Sequence, residues 1–446
     1  MISRNERSIL SGFLEELGLE RETQIERVLA SAKTRFVNDI VVSLDLSWCE
    51  IDHLPPNVDQ FKFLERLDLR YNHLRDLPET IGNLKLLRRL DLRGNCLTSL
   101  PSSFQALREL EKLDIRENRF AAFPECTCLM FKLDELKLSY NQFTIPSCMK
   151  ELKRLRSLLL KRMGFTKLPG TIVSLQRLRE LDLSNNHIDS LPSAFEDLNH
   201  LRIINLQKNR FIKVPPVLGK INSLRRLDFR GNSIEAIDES IYNLDKLERI
   251  DFVSNNITEI PPGISAMKNL HRLGLYDNKI SILPREICDL RKLEKIELQF
   301  NQIVSIPPSI DKLEALEELV LNSNSLDELP RSIGGLNSLK LLYLHDNNLT
   351  CIPDTFKNLT KVRDLWLNGN QLDELPRVIG SMTGLERLNL ANNRLESLSY
   401  SLLDLHNLKF LMVGDNPLER QANDLLEQLS AKGCEVTDDR SRRGNN

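Results

Sequence analysis

The chain of 446 residues is poor in residues that enzymes of its length use freely, with seven histidines and two tryptophans. It also lacks GxxxxGK[ST], HExxH, GxSxG and any Rossmann glycine cluster; Gly219-Lys220 is followed by Ile221 rather than a hydroxyl residue. No apolar run approaches the roughly 18 residues of a membrane span. The opening MISRNERSILSGFLEELG has no unbroken apolar core of the kind a signal peptide needs. Sixty-one basic residues nearly balance 63 acidic ones, so no global field exists to hold nucleic acid or an anionic membrane. Eight cysteines are scattered without metal-like CxxC pairs, for which a reducing, cytoplasmic setting is the simplest reading.

What is present is leucine at fixed spacing. Residues 87 to 107, LRRLDLRGNCLTSLPSSFQAL, recur along almost the whole chain with a period of 23 residues. The asparagine of LxxLxLxxNxL falls at Asn72, Asn95, Asn118 and Asn141, then from Asn186 at every period to Asn416. Cys49 and Met163 hold the same slot in two further copies, making seventeen, with one copy shortened to 22 residues between Asn141 and Met163. Fourteen of the nineteen prolines follow the last apolar residue of the motif, as in Leu100-Pro101.

One copy can be read physically. Leu90 and Leu92 point inward from a short strand while Arg89, Asp91 and Arg93 point outward, because strand side chains alternate. Asn95 turns the chain inward, where its amide can bond backbone groups that would otherwise be buried and unpaired. Leu97 and Leu100 return to the core, Pro101 fixes the backbone where no sheet bond is wanted, and Phe104 and Leu107 continue inward at helical or 3₁₀ spacing. A single coil cannot bury its own leucines, but a stack shares one core.

This pattern resembles the leucine-rich-repeat family over residues 41 to 418. The form LPxxIxxLxxLxxLxLxxNxL, seen as LPETIGNLKLLRRLDLRGNCL from Leu77 to Leu97, is similar to the intracellular Ras-group subclass and to bacterial cytosolic and effector members. The resemblance implies an α/β class solenoid, a curved horseshoe of about 17 repeats with a concave parallel β-sheet. It further implies a non-enzymatic protein-binding scaffold in signalling, with a small GTPase, a phosphatase or another signalling protein as partner. The alternative it leaves is a bacterial effector or regulatory subunit acting on such an enzyme, delivered into a host cytosol if an effector. An enzyme with an unrecognised site is a distant third.

The organisation expected is an N-terminal helical cap (1–39), the solenoid (40–418), a C-terminal cap (419–437) and a disordered tail (438–446). Ile9, Leu10, Phe13, Leu14 and Leu17 mark one helical face, and Ile25, Val28, Leu29, Ala32 and Phe36 a second. Ala422, Leu425, Leu426 and Leu429 mark a third helix, stopped by Gly433. Repeats near 124–169 are irregular, and a kink or change of twist is expected there. Cys126 and Cys148 should stack on neighbouring coils at about 5 Å. A redox switch or a metal site with Cys128 can be drawn, but simple packing of small apolar residues is the preferred reading. No catalytic residue, metal site or cofactor is expected, and neither nucleic acid nor membrane insertion.

Candidate binding residues come from reading the outward strand positions in columns. Early repeats carry Asp45, Asp68, Asp91 and Asp114 between the strand leucines, followed by Ser47, Arg70, Arg93 and Arg116 and preceded by Arg66, Arg89 and Lys112. Such alternation reads as a solvated face with salt bridges between coils, each worth about 0–1 kcal/mol. The arginines Arg66, Arg70, Arg89, Arg93 and Arg116 form a secondary charged docking candidate. Past the tenth repeat the central column becomes Gly274, Glu297, Val320, Tyr343, Trp366, Asn389 and Met412, and the next outward column includes Tyr276, Phe300 and His345. Aromatic and aliphatic groups on a solvent face favour a partner, so Tyr276, Phe300, Val320, Tyr343, His345, Trp366 and Met412 are the main candidate surface.

Overall fold

The computed structural model describes residues 3–19 and 22–438 and separates into two compact units, Met1–Arg210 and Phe211–Asn446. The first opens with α1 (Ser3–Glu16) and α2 (Glu22–Ala30), then β1 (Arg35–Val37) and β2 (Ile40–Asp45). Leu10, Phe13, Leu14 and Leu17 of the first helical face are buried, and Phe13 meets Phe61 edge-on at 5.1 Å. The second face does not continue as a helix. Leu29 is 46% exposed, Ala32 is exposed, and Phe36 lies on β1. Val37 pairs with Ile40 across Asn38 and Asp39, whose φ values of 49° and 60° make a tight two-residue hairpin turn. The sequence FVNDIVV carries that hairpin signal, and helical spacing masked it.

From β2 onward each coil of the first unit adds one short parallel strand: Ser43, Leu44 and Asp45 stand beside Arg66, Leu67 and Asp68, and those beside Arg89, Leu90 and Asp91. The shortened copy leaves the pairing intact, because Leu136 sets beside Leu158 at an offset of 22 and Leu158 beside Leu181. The missing residue is therefore absorbed in the loop before Pro146. The second unit repeats the arrangement with nine strands from Arg226–Asp228 to Phe410–Met412. Its C-terminal end carries α3 (Gln421–Ala431), with Ala422, Leu425, Leu426 and Leu429 buried, and a last strand, Glu435–Thr437, pairing with Phe410–Met412. The tail expected from 438 lies, apart from Asp438, outside the described residues.

The strand-to-3₁₀ half of a coil is held by proline. Pro78 sits in extended backbone before the 3₁₀ segment Glu79–Asn83 and its carbonyl accepts from Ile81 N–H at 3.0 Å. Two of the 3₁₀ segments lack the proline, and there a side chain substitutes: Asp238 accepts from Ser240 N–H at 2.9 Å and Ser399 from Ser401 N–H at 3.4 Å.

The asparagine does more than close its own turn. Asn95 Nδ2 donates to the Leu92 carbonyl at 3.0 Å and to Leu69 of the preceding coil at 2.9 Å, while its Oδ1 accepts from Leu74 N–H of that coil at 3.1 Å. Where a coil lacks its asparagine, the next one supplies a second acceptance. Asn72 Oδ1 takes the N–H groups of both Cys49 and Ile51 (3.0 and 3.2 Å), and Asn186 Oδ1 those of Met163 and Phe165 (2.9 and 3.1 Å).

Candidate binding face

In the second unit the register sets Val320 beside Tyr343, Tyr343 beside Trp366, Trp366 beside Asn389 and Asn389 beside Met412. Val320 is 9% exposed, whereas Tyr343, Trp366 and Met412 are half-buried. The Tyr343 and Trp366 rings lie 5.3 Å apart, and His345 completes a cluster at 5.6 Å from Trp366 and 6.2 Å from Tyr343. Arg387 reaches across to the buried Asp364 carboxylate beside them. Burial, with the Asp364 charge, pushes the Tyr343 phenol above its ordinary range, and burial holds His345 below the usual imidazole value. His345 Nδ1 and, on the adjoining coil, Asn368 Oδ1 are buried without a hydrogen-bond partner.

Other candidates lie apart from this cluster. Tyr276 is half-buried three repeats before His345, and Met412 is separated from Trp366 by Asn389. Phe300 is misplaced by the column reading. It sits one residue beyond the column, at the positive-φ turn (φ 55°), and is 57% exposed; Gln299 fills the column instead.

The charged columns of the first unit are less solvated than their composition suggests. Asp68 is fully buried, and Asp114 and Asp45 are 7% and 9% exposed. Each of these aspartates turns back to accept from the backbone N–H two residues on, as Asp91 does from Arg93 at 3.1 Å and Asp114 from Arg116 at 3.1 Å. The column is thus chiefly a backbone brace. Asn205 and Asn389 serve identically at the same position, accepting from Gln207 and Ala391 at 3.0 and 3.1 Å. Burial, with Asp114 and Asp68 alongside, raises the Asp91 carboxyl to about 6.

Most of the arginine candidates are already paired. Arg66 and Arg70 face Asp68 at 3.8 and 3.4 Å, Arg93 meets Glu117 at 2.6 Å, and Arg116 meets Asp114 at 2.6 Å. Arg89 has no ion pair among the described residues. Sequence reasoning passed over Trp48, which is 54% exposed and stacks on Tyr71 at 4.1 Å, with the Arg93 guanidinium 5.1 Å from the Tyr71 ring. Both aromatics occupy the slot just before the repeat asparagine or its Cys49 substitute, and that spacing would have revealed the pair.

The cysteines also differ from expectation. Cys128 and Cys148 form a disulfide with Cα atoms 5.8 Å apart, linking neighbouring 3₁₀ segments, and Cys126 is left free. Burial raises the Cys126 thiol to about 11, which keeps it protonated at neutral pH.

Short parallel strands on one side, proline-started 3₁₀ segments on the other and asparagine turns between them define an open, repeat-built solenoid of the α/β class. A family described as leucine rich repeat matches residues 62–120, 246–303, 291–349 and 314–372, and one described as leucine-rich repeat region matches 144–228. A leucine-rich-repeat protein of Leptospira interrogans is 33% identical, with a TM-score of 0.80 over 84% of this chain and 95% of that one. The chain belongs to the leucine-rich-repeat family. A plant peptide hormone receptor solved in complex with RGF2 is 25% identical over 87% of this chain and 73% of its own (TM-score 0.65). The Drosophila Toll–Spatzle complex, 22% identical over 83% of this chain and 53% of that one (TM-score 0.73), shares the fold. No match to a curated protein sequence was found. No described helix is long and apolar enough to cross a membrane.

Proposed function

We propose that this protein is a non-enzymatic scaffold that binds a protein partner on the open face of the sheet in the unit Phe211–Asn446. The observation that carries the reading is the half-buried Tyr343–His345–Trp366 cluster beside Val320. Aromatic groups left on a sheet face gain from a partner that covers them. Tyr276, Phe300 and Met412 extend the surface outward from that centre. Leucine-rich-repeat proteins typically act as binding scaffolds, and the plant receptor complex with RGF2 is in keeping with a protein or peptide partner. A signalling partner such as a small GTPase or phosphatase rests on the family resemblance alone. A cytoplasmic location loses its cysteine-based support, because the Cys128–Cys148 disulfide is at odds with a reducing compartment.

The test compares Tyr343→Ala with Trp366→Ala against Arg93→Ala with Arg116→Ala, arginines outside the N-terminal cleft, in partner capture from a lysate of the source cell. Photocrosslinking from position 343 then shows whether the captured protein touches this face. Loss of capture in the aromatic pair alone, with both variants folded, supports the assignment. Loss confined to the arginine pair moves the site to the first unit and overturns it.

A further inference from the structure

The N-terminal edge of the first unit holds a second surface, independent of the aromatic face. β1 pairs with β2 on one side only, so among the described residues the outward backbone groups of this three-residue strand have no strand partner. The two faces of this short strand differ chemically. Phe36 lines an apolar cleft of about 340 Å³ with Leu10, Leu14, Ile25 and Leu29. Arg35 and Val37, on the alternate face, line a cleft of about 620 Å³. That second cleft gathers five cations, Lys33, Arg35, Arg66, Arg88 and Arg89, against two carboxylates, Glu65 and Glu111. Lys33 and Arg66 are engaged by Asp68 at 3.2 and 3.8 Å, and Arg88 by Glu111 at 3.4 Å. Arg35 and Arg89 are exposed and have no ion pair among the described residues.

We infer that β1 receives an extended acidic segment of a partner protein by strand addition. A strand laid on the open edge alternates its side chains in step with β1. Every second residue enters the apolar cleft under Phe36, and the intervening residues meet Arg35 and Arg89. The occupant that matches both faces alternates apolar residues with aspartate or glutamate. A basic segment is repelled by the cations, and an acidic chain without apolar residues leaves the Leu29–Phe36 cleft unfilled. The chain as a whole carries a formal charge of only −2, so this selectivity comes from local arrangement rather than from a global field.

The test is fluorescence anisotropy with the full chain and a labelled decapeptide that alternates glutamate and valine. Binding is expected to weaken roughly tenfold in the double variant Arg35→Ala/Arg89→Ala, and to fall as salt is raised. Leu29→Asp, at a 46% exposed position, should weaken it through the other face without unfolding the unit, as an unchanged melting temperature would verify. A lysine–valine peptide, a glutamate–glycine peptide, and a glutamate–valine peptide N-methylated at alternate residues should each bind poorly. The inference is overturned if the glutamate–valine peptide does not bind, if either control sequence binds as well, or if methylation has no effect. It is also overturned if folded variants keep full affinity, or if single-stranded RNA displaces the peptide and binds more tightly.

Discussion

Replacing Asp91 by asparagine should stabilise the protein at neutral pH, although it removes a charge from a column of alternating signs. Asp91 stands in register between Asp68 and Asp114, and burial with those neighbours raises its carboxyl from the ordinary 3.8 to about 6. An acid whose pKa rises on folding contributes stability that is complete below the unfolded value and is lost as pH climbs through the folded one. The loss therefore occupies the window from 3.8 to about 6, and at neutral pH the ionised carboxylate is a liability. Its full size would be about 3 kcal/mol, which partial exposure of the group lowers to about 1–2 kcal/mol. Asparagine retains the structural role, because an amide oxygen can accept from Arg93 N–H as Asn205 and Asn389 do from Gln207 and Ala391. Thermal melts followed by circular dichroism at about pH 7.5 should show the variant roughly 1–4 °C above the parent. The gap should close as pH is lowered to about 4, where both side chains are neutral. A variant that melts below the parent at neutral pH, or a gap independent of pH, would refute the assignment of strain to this carboxylate.

Asn278→Ala removes one acceptance from Ile257 N–H and donations to the Phe252 and Leu275 carbonyls. It should cost about 1–3 kcal/mol, and an unchanged denaturation midpoint would show that the turn stands without the amide. Thiol titration of the unfolded, non-reduced protein should find six reactive groups of the eight cysteines, rising to eight after reduction. A tryptic map should join the peptides of Cys128 and Cys148, and eight thiols before reduction would remove the disulfide from the description.

The repeat was legible because its leucines serve one purpose in every copy, so period and inward face could be read from spacing alone. Leu67, Leu90 and Leu113 are in register one period apart and buried as that spacing requires. Polar positions were harder, since one side chain can face either water or its own backbone. Asp68 and Asp91 read as half of a charge ladder, yet their oxygens turn back to N–H groups two residues on. The same ambiguity misread residues 31–37, where apolar residues at helical spacing belong to a hairpin whose two-residue turn overrides the helical period. The Tyr343–Trp366 adjacency followed from the period, but Phe300 did not, because a single-residue offset moves a side chain from strand to turn. The disulfide was hidden for a related reason: Cys126 and Cys148 share a repeat position, whereas Cys148 bonds to Cys128, two residues along the neighbouring coil.

The asparagine network gives the chain a direction in time. Because Asn95 supplies the acceptor for Leu74 N–H, and Asn186 those for Met163 and Phe165, a coil is finished by the one that follows it. A growing chain leaving the ribosome would carry an incomplete last coil until about one further period has emerged. Trimming coils from the C-terminal side would strip acceptors from the coil left behind. Trimming from the N-terminal side would instead leave the new first coil with its turn closed by its successor, its own asparagine losing only the partners in the coil removed.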